Sequence, residues 1–357
     1  MNRRLFNLLG VAAALLIVAV LALNWLGPQK PDRGTRAKLL PAFTEARATV
    51  DRVQLASNGK LLVELKRDGE QWRVASRDGY VANAGKIRAL LDNLGQAEKI
   101  EAKTADPGKH EKLGLKEDSD KALQLTLAAG EQTVAELVLG NTVLRPSGQF
   151  VRLKGDNQSW LVDRELAVGR EVSDWLRTDL IMLPASKIKR VERLQTTVVQ
   201  CVTAPCPPVA GEPVFALSKE KPEDNSFTLA PIPAGKEAGA AWLLSGLTDA
   251  LNGLTAADVL RQTAFDFAGA KTTISRYVSF DDQIITLSHH LKDSKHYVSL
   301  HAEAGAAATD EVKKAVEELN ARHAGWLYEV SSYKGEGMAR ELSALVQDKA
   351  KDKPAAN

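Results

Sequence analysis

Alternating apolar and polar positions occur along most of the chain and predict β-strands. In "KLLVELKRD", Leu61, Val63 and Leu65 alternate with polar residues, which is typical of a strand with one buried face. Tight-turn sequences, Asn58-Gly59 and Asp68-Gly69, bound this segment. Comparable runs follow in "KALQLTLAAG", "QTVAELVLGN", "GQFVRLKG" and "SWLVDR". The pattern therefore predicts several short strands joined by turns.

Each half of the chain also contains one segment with helical spacing. In "ANAGKIRALLDNLGQAEKI", Ile87, Leu90 and Leu94 fall on one face of a helix. A second helix is predicted in "WLLSGLTDALNGL", where Leu244 and Leu247 take the positions of Ile87 and Leu90. We expect each helix to cover one face of a sheet.

The second half of the chain repeats the pattern of the first. "VDRVQL" is echoed by "IKRVERL", and "LGNTVLRPSGQFVRLKGD" aligns without a gap with "LSHHLKDSKHYVSLHAEA". We therefore expect an α+β fold made of a duplicated unit, residues 47–186 and 187–346, after a single N-terminal transmembrane helix. Each unit is predicted to be a mostly antiparallel sheet with one covering helix.

The N-terminal segment differs from the rest in hydropathy. Residues 5–26 contain no charged side chain and match the length of about 20 residues that a membrane-spanning helix needs. We expect an uncleaved anchor here; a secretory signal peptide, with Val20-Leu21-Ala22 as its cleavage site, is the alternative. Residues 1–4 would then be cytoplasmic and residues 27–46 a tether. The polar residues 347–357 are predicted to be a disordered tail.

The charges around this segment give opposing signals on orientation. Arg3 and Arg4 favour a cytoplasmic N-terminus, whereas Lys30 and Arg33 follow the span and oppose it by simple counting. Long C-terminal domains translocate largely regardless of charge. We expect a single-pass protein of the bacterial inner (cytoplasmic) membrane with its C-terminal body in the periplasm.

Charge and motif content exclude several classes of function. The chain has 47 basic and 45 acidic residues, and the basic ones are scattered, so we expect no nucleic-acid partner. It contains no phosphate-binding glycine loop, no His-Glu-x-x-His zinc helix and no Gly-x-Ser-x-Gly nucleophile elbow. We therefore expect neither an enzyme nor a bound cofactor.

The histidines are the only cluster with the chemistry of a metal site, because five of the six lie between residues 289 and 323. If "ITLSHHL" and "KHYVSLH" form a hairpin, His289 and His296 are diagonal neighbours on one face, and His290 and His301 lie on the other. A metal site needs about three converging ligands. We therefore expect these histidines to be ordinary solvated or half-buried strand residues. His289 and His296 are the weak candidates for metal ligands.

The two cysteines, Cys201 and Cys206, lie in "QCVTAPCPPVAG". The prolines and the four-residue spacing exclude a thioredoxin-type centre, and two further zinc ligands are missing nearby. In an oxidising compartment we expect a local disulfide that closes an extended hairpin end and stabilises the fold by about 2 kcal/mol.

Several segments resemble the family catalogued as domain of unknown function 4340. The resemblance is carried by the anchor, "GEQWRVASRDGYVANAGKIRALLDNL", "ELVLGN", "SWLVDRELA" and "VSDWLRTDLIMLPASKIKRVERL". It implies an extracytoplasmic protein encoded beside ABC transporters of the gliding-motility auxiliary (GldG-like) type. The membrane and auxiliary subunits of such a transporter are the partners that the resemblance implies.

These observations favour a membrane-anchored, non-enzymatic accessory or scaffold subunit of an ABC-type transport system. The alternative is a cell-envelope enzyme, or a glycan- or lipid-binding protein, with its site between the two units. Such a site would use residues such as His289, His296 or Asp282 and would lie in a concave pocket.

Overall fold

The computed structural model describes residues 36–197 and 209–349, which form mostly antiparallel β-sheet with a smaller number of helices. The α-helices are α1 (Phe43–Ala46), α2 (Ala84–Gln96), α3 (Ala241–Thr248), α4 (Asp310–His323), α5 (Ser332–Met338) and α6 (Leu342–Leu345). The strands are β1 (Arg52–Ser57), β2 (Lys60–Asp68), β3 (Gln71–Val74), β4 (Tyr80–Val81), β5 (Lys99–Ala102), β6 (Leu123–Ala129), β7 (Gln132–Leu144), β8 (Ser147–Leu153), β9 (Ser159–Val162), β10 (Asp179–Ile181), β11 (Ile188–Thr197), β12 (Val209–Ser218), β13 (Thr228–Ala230), β14 (Lys236–Ala238), β15 (Leu254–Thr255), β16 (Asp258–Arg261), β17 (Lys271–Ser279), β18 (Gln283–Lys292), β19 (Lys295–Ala304), β20 (Trp326–Val330) and β21 (Val346–Asp348).

Two large antiparallel sheets account for most of the strands. The first has nine strands in the order β4-β3-β2-β1-β6-β7-β8-β9-β5. The second has eight strands in the order β13-β12-β11-β17-β18-β19-β20-β16. In both sheets, a strand that follows the main helix in sequence, β5 or β16, pairs with the last strand of the meander at the far edge. The two smaller sheets are the pairs β10-β15 and β14-β21.

Alternation places one face of the first sheet against α2. Val53 and Leu55 of β1 are fully buried, and so are Ile87 and Leu94 of the helix. The helix begins after Asn83, whose side chain accepts a hydrogen bond from the backbone N–H of Lys86 at 3.1 Å. Each such buried aliphatic side chain stabilises the fold by roughly 1.5–3 kcal/mol relative to exposure. The predicted amphipathic helix over this segment is confirmed.

The second sheet carries more helix than the sequence pattern predicts. The prediction of one covering helix per unit is wrong here, because α4, α5 and α6 follow α3. The helix predicted in "WLLSGLTDALNGL" also ends early, at Thr248, and the chain then turns through Gly253 with a φ of +61°. Most of α4 faces solvent, and its few buried side chains include Val316 and Leu319. Because so few apolar residues mark its buried face, the sequence pattern gives only a weak indication of this helix.

The two sheets are joined by direct contacts and not only by the chain. β10 lies in the connector, residues 163–187 between β9 and β11, and pairs with β15 of the second unit. Arg77 forms a bidentate ion pair with Asp258, in which Nε and Nη2 each lie 2.8 Å from a carboxylate oxygen. The backbone N–H of Asn83 donates to the carbonyl of Trp175 at 2.7 Å, which ties the start of α2 to the connector.

The boundaries of the predicted tether and tail differ from those of the fold. Leu39 and Phe43 are 1% and 3% exposed and pack in the core, so residues 36–46 belong to the folded body and not to a tether. At the other end, β21 pairs with β14 across residues 346–348, so the sheet extends two residues into the predicted tail. The buried side chains of Leu39 and Phe43 hold residues 36–46 in the fold, and main-chain pairing with β14 holds residues 346–348.

Some predictions fall on other parts of the chain. The predicted anchor, residues 5–26, and the predicted disulfide between Cys201 and Cys206 lie outside the described residues. Within residues 36–197 and 209–349, no helix has the length and apolar character needed to cross a membrane.

Candidate functional site

A cleft of about 670 Å³ lies where the two sheets meet, and we call it the inter-sheet cleft. Its walls come from the β3-β4 edge of the first sheet, the connector around β10, and α4 with the start of β20. The lining residues are Gln71, Arg73, Gly79, Tyr80, Val81, Arg177, Ile181, Met182, Leu183, Gln283, Ala315, Glu318, Leu319, Ala321, Arg322 and Trp326. Its volume is within the range typical of small-molecule sites.

Tyr80 forms the floor of the cleft and holds the three walls together. Its ring packs edge-on against Trp326 at a centroid distance of 4.9 Å. Its hydroxyl donates to the carbonyl of Arg177 at 3.0 Å. Burial raises the pKa of Tyr80, so the phenol stays protonated and remains a donor. One side chain of the first sheet therefore contacts both the connector and the second sheet.

Three arginines from three separate elements line the cleft. Arg73 on β3 is paired through Nε with Asp68 at 3.0 Å. Within the described part of the chain, the Arg177 side chain in the connector makes only a long contact, 3.5 Å, from Nε to Asp179. Arg322 on α4 donates through Nη2 to the carbonyl of Leu180 and through Nε to a histidine at 3.1 Å. Positive charge in the cleft is therefore only partly compensated.

The histidine that accepts from Arg322 is His323, which is 2% exposed. Burial, and then the charge of Arg322, lower the pKa of His323 to about 4. The ring is thus neutral near pH 7, with Nε2 accepting from Arg322 and Nδ1 within 2.8 Å of the Tyr328 hydroxyl. A neutral acceptor orients the Arg322 guanidinium without neutralising it.

The rest of the lining is mostly apolar, with one carboxylate and the amide side chains of Gln71 and Gln283. Met182 is 71% exposed at the cleft, which is unusual for a methionine, and Ile181, Leu319 and Trp326 lie beside it in the lining. Glu318 is one turn before Arg322 on α4, yet its nearest cation is Lys314 at 4.0 Å. The cleft therefore combines guanidinium donors with an apolar wall.

The predicted histidine hairpin forms with the predicted register. His289 pairs with Val298, and Leu291 with His296, around the turn Asp293-Ser294. Both turn residues have positive φ, 49° and 62°, which suits a two-residue hairpin loop. His289 and His296 are consequently brought together on the inner face of the second sheet.

The two imidazoles share a hydrogen bond, with Nε2 of His289 and Nδ1 of His296 2.8 Å apart. Nδ1 of His289 also lies 3.2 Å from the hydroxyl of Thr273. Burial, and then the neighbouring His296, lower the pKa of His289 to about 3, so this ring stays neutral. His296 borders a separate cleft of about 600 Å³, beside Arg340. The pair does not contribute to the inter-sheet cleft.

The remaining predicted site residues are dispersed. His290 is buried on the opposite face of the sheet, with its Nδ1 2.8 Å from the Thr272 hydroxyl, and His301 is exposed. Asp282 accepts a hydrogen bond from the backbone N–H of Ala307 at 2.7 Å and so stabilises a loop. Among the described residues, no group of three or more histidine, cysteine or acidic side chains is arranged to hold a metal ion.

Sequence reasoning did not identify the cleft arginines, because Arg73, Arg177 and Arg322 are separated by more than 100 residues along the chain. Periodicity and motif spacing report only on neighbouring positions. A signal was present in the segments that carry the family resemblance. "WRVASRDGYV" contains Arg73 and Tyr80, and "DWLRTDLIML" contains Arg177 and Met182.

Comparison with known proteins places these segments in one family. The family model described as Domain of unknown function (DUF4340) matches residues 72–277. The chain belongs to this family. The match includes Arg73 and Arg177 and ends before Arg322. No curated protein and no solved structure matches the chain.

Proposed function

We propose that this DUF4340 protein is a membrane-anchored, extracytoplasmic, non-enzymatic accessory subunit of an ABC-type transport system, and that it binds its ligand or partner in the inter-sheet cleft. The observation that carries the proposal is the composition of the cleft. Its lining offers guanidinium donors and apolar surface but only one carboxylate, Glu318, and no serine, cysteine or histidine. Such a set of side chains can bind and orient a ligand, but it offers no nucleophile with an adjacent base.

The arrangement of the body relative to the proposed anchor supports this role. Residues 5–26 have the length and composition of a membrane span, and the folded body begins by Leu39. A linker of about ten residues would keep the cleft close to the bilayer and raise its effective concentration for any membrane-embedded partner. We place the body in the periplasm of a bacterial inner-membrane protein.

We further propose that the two sheet units arose by duplication. The central hairpins β1-β2 and β11-β12 occupy equivalent places in the two strand orders, and the meanders β6 to β9 and β17 to β20 follow them in the same way. This shared order supports a repeat boundary near residue 187, as the sequence pattern predicts. A gliding-motility auxiliary transporter is the partner class that fits the proposed location and family.

Affinity purification through a C-terminal tag, from membranes dissolved in a mild neutral detergent, tests the transport role. We expect the membrane and auxiliary subunits of an ABC transporter to co-purify with the full chain. A matched control carries residues 1–35 fused to an unrelated soluble domain, which separates capture by the body from capture by the anchor. Recovery of no transporter subunit, or equal recovery with the control, would contradict the proposal.

A second candidate function is binding of a cell-envelope glycan or lipid independently of any transporter. The partly compensated charge of Arg177 and Arg322 favours this candidate over an envelope enzyme, since His289, His296 and Asp282 lie elsewhere. A chain that binds an envelope ligand but recovers no transporter subunit would support it.

A further inference from the structure

We infer that the inter-sheet cleft binds an amphiphilic phosphate, that is, a phosphate ester with an apolar chain. The inference rests on the proposed use of this cleft as the binding site and adds the chemical class of its ligand. Two features carry it: unengaged guanidinium donors from three elements, and an apolar wall in which Met182 is exposed beside them.

The arginines retain donors that their described hydrogen bonds do not use. Arg73 is engaged through Nε and Nη1, the latter to the carbonyl of Gly79 at 3.1 Å, which leaves Nη2. Arg177 is engaged only through Nε, and Arg322 through Nε and Nη2. Guanidinium groups bind phosphate oxygens, and Arg177 retains the neighbouring pair Nη1 and Nη2 that two parallel hydrogen bonds need. Arg73 and Arg322 can each add single hydrogen bonds from their remaining nitrogen.

The electrostatic balance of the cleft also favours an anion. The lining contains three arginines and one carboxylate, Glu318, whose side chain is 71% exposed. His323 is neutral near pH 7, so it does not compensate the positive charge of Arg322. Asp68 and Asp179 pair with Arg73 and Arg177 from outside the lining, so Arg322 is the cleft arginine that has no carboxylate partner among the described residues. Because half-buried charges are weakly screened, an anionic ligand would be attracted to this guanidinium.

The apolar wall distinguishes an amphiphile from a free phosphate. Met182 is 71% exposed, and a flexible thioether of this kind covers apolar ligands of varied shape. Leu319 and Trp326 extend the same wall, and Trp326 is held in place by Arg261, whose guanidinium carbon lies 3.7 Å from the centroid of the indole ring. An alkyl chain on this surface would gain about 0.8 kcal/mol for each methylene it buries.

Binding of n-hexyl phosphate, inorganic phosphate and 1-hexanol to the full chain in a neutral maltoside detergent, measured by titration calorimetry, tests the inference. We expect n-hexyl phosphate to bind at least about tenfold more tightly than inorganic phosphate, since about two buried methylenes suffice for that factor. We expect no measurable binding of 1-hexanol. The calorimetric heats of a detergent blank account for partition of the probes into micelles.

Variants assign the binding to named side chains. Arg177→Gln should weaken n-hexyl phosphate binding by about tenfold, because it removes a charge-assisted hydrogen bond to the phosphate. Glu318→Gln should tighten it by about twofold to fivefold, because a repelling charge is lost. Met182→Ser should reduce the preference for n-hexyl phosphate over inorganic phosphate without abolishing phosphate binding.

Arg276→Gln is the matched control. Arg276 lies outside the cleft, its side chain is 39% exposed against 36% for Arg177, and its one carboxylate partner is also at 3.5 Å. This variant should bind n-hexyl phosphate as the parent chain does. An equal effect of Arg177→Gln and Arg276→Gln, or no binding of either phosphate, would overturn the inference.

The outcomes separate this inference from the proposed transport role. Equal affinity for inorganic phosphate and n-hexyl phosphate would show that the cleft binds free phosphate, and would refute the inference that its ligand has an apolar chain. Recovery of a transporter together with no phosphate binding would refute the ligand class alone. Specific phosphate binding without a transporter would leave the ligand class standing and refute the partner.

Discussion

Replacing Gly335 by alanine should destabilise the second sheet, although alanine is the better helix former. Gly335 lies within α5, which crosses the inner face of the sheet above the histidine pair. A Cβ at this position would overlap the ring and the Cβ of His296. Since His296 is 6% exposed and hydrogen-bonded to His289, it has little room to move aside.

The magnitude follows from three effects. Alanine gains about 1 kcal/mol over glycine inside a helix. Forcing an extra carbon into a packed interface costs about 1–3 kcal/mol. Displacing His296 breaks its hydrogen bond to His289 and leaves a buried nitrogen unpaired, which costs a further 1–3 kcal/mol or so. We therefore expect Gly335→Ala to lower the free energy of unfolding of this unit by about 3 kcal/mol.

Gly95→Ala provides the control for helix propensity. Gly95 is in α2, and a Cβ there would meet only the Phe43 ring at 3.8 Å, an ordinary contact. This variant should be neutral or more stable by up to about 1 kcal/mol. In the double variant Gly335→Ala with His296→Gly, which removes both the ring and the Cβ of residue 296, the overlap is relieved, so we expect a coupling free energy of about 2 kcal/mol or more.

Hydrogen-exchange mass spectrometry on peptides that span α5 and β19 measures the effect in the second unit separately from the first. Urea unfolding followed by circular dichroism gives the midpoint of the whole chain as a cross-check. If Gly335→Ala proved as stable as the parent chain, or if its cost were unchanged when His296 is glycine, the close packing of α5 on the histidine pair would be wrong.

Other predictions concern pH and the contacts between the sheets. Because burial lowers the pKa of His289 to about 3 and of His323 to about 4, the unfolded chain binds these protons first, and stability should fall as the pH drops from about 6.5 to 4. Each histidine should lower the free energy of unfolding by up to roughly 1.4 kcal/mol per pH unit, so urea midpoints should decrease across this range. His323→Gln should flatten the slope, and a midpoint that is constant or rises would contradict the assignment. Burial raises the pKa of Asp258, but the hydrogen bonds from Arg77 and from the backbone N–H of Val259, together with the charge of Arg77, outweigh burial and lower the pKa. Asp258→Asn should therefore cost about 1 kcal/mol and lose most of its effect when Arg77 is methionine, as a double-mutant cycle by thermal unfolding would show. Tyr80→Phe should cost about 1 kcal/mol by losing its bond to the connector, measured in the same way, and an unchanged melting temperature would show that this bond contributes nothing.

The strands could be predicted from the sequence because their information is local. The alternation in "KLLVELKRD" and the two-residue turn Asp293-Ser294 specify which residues share a face, and Val63, Leu65, His289 and His296 are buried on the faces expected. Leu61 is the exception at 57% exposed, because the register of β1 and β2 shifts next to it. The local pattern thus predicts on which face of a sheet a residue lies better than it predicts how deeply that residue is buried.

The inter-sheet cleft could not be predicted in the same way. Its guanidinium groups approach one another only after two sheets and a connector have packed, and no spacing in the chain records that packing. Arg73 at the sheet edge and Arg322 on the exposed side of α4 both have the local pattern of ordinary surface residues. The aromatic contact of Tyr80 with Trp326 and the ion pair of Arg77 with Asp258 help to fix where these surfaces meet.

The cleft also depends on a difference between the two units. In the first unit β8 leads to β9 through residues 154–158, whereas in the second unit the equivalent connection, residues 305–325, contains α4. This helix supplies Glu318, Leu319 and Arg322 to the cleft. If the units arose by duplication, the sheets account for the shared scaffold and the added helix for the site. It follows that the first unit has no equivalent wall, and that shortening residues 305–325 to the length of the first connection should remove phosphate binding while leaving the first sheet folded.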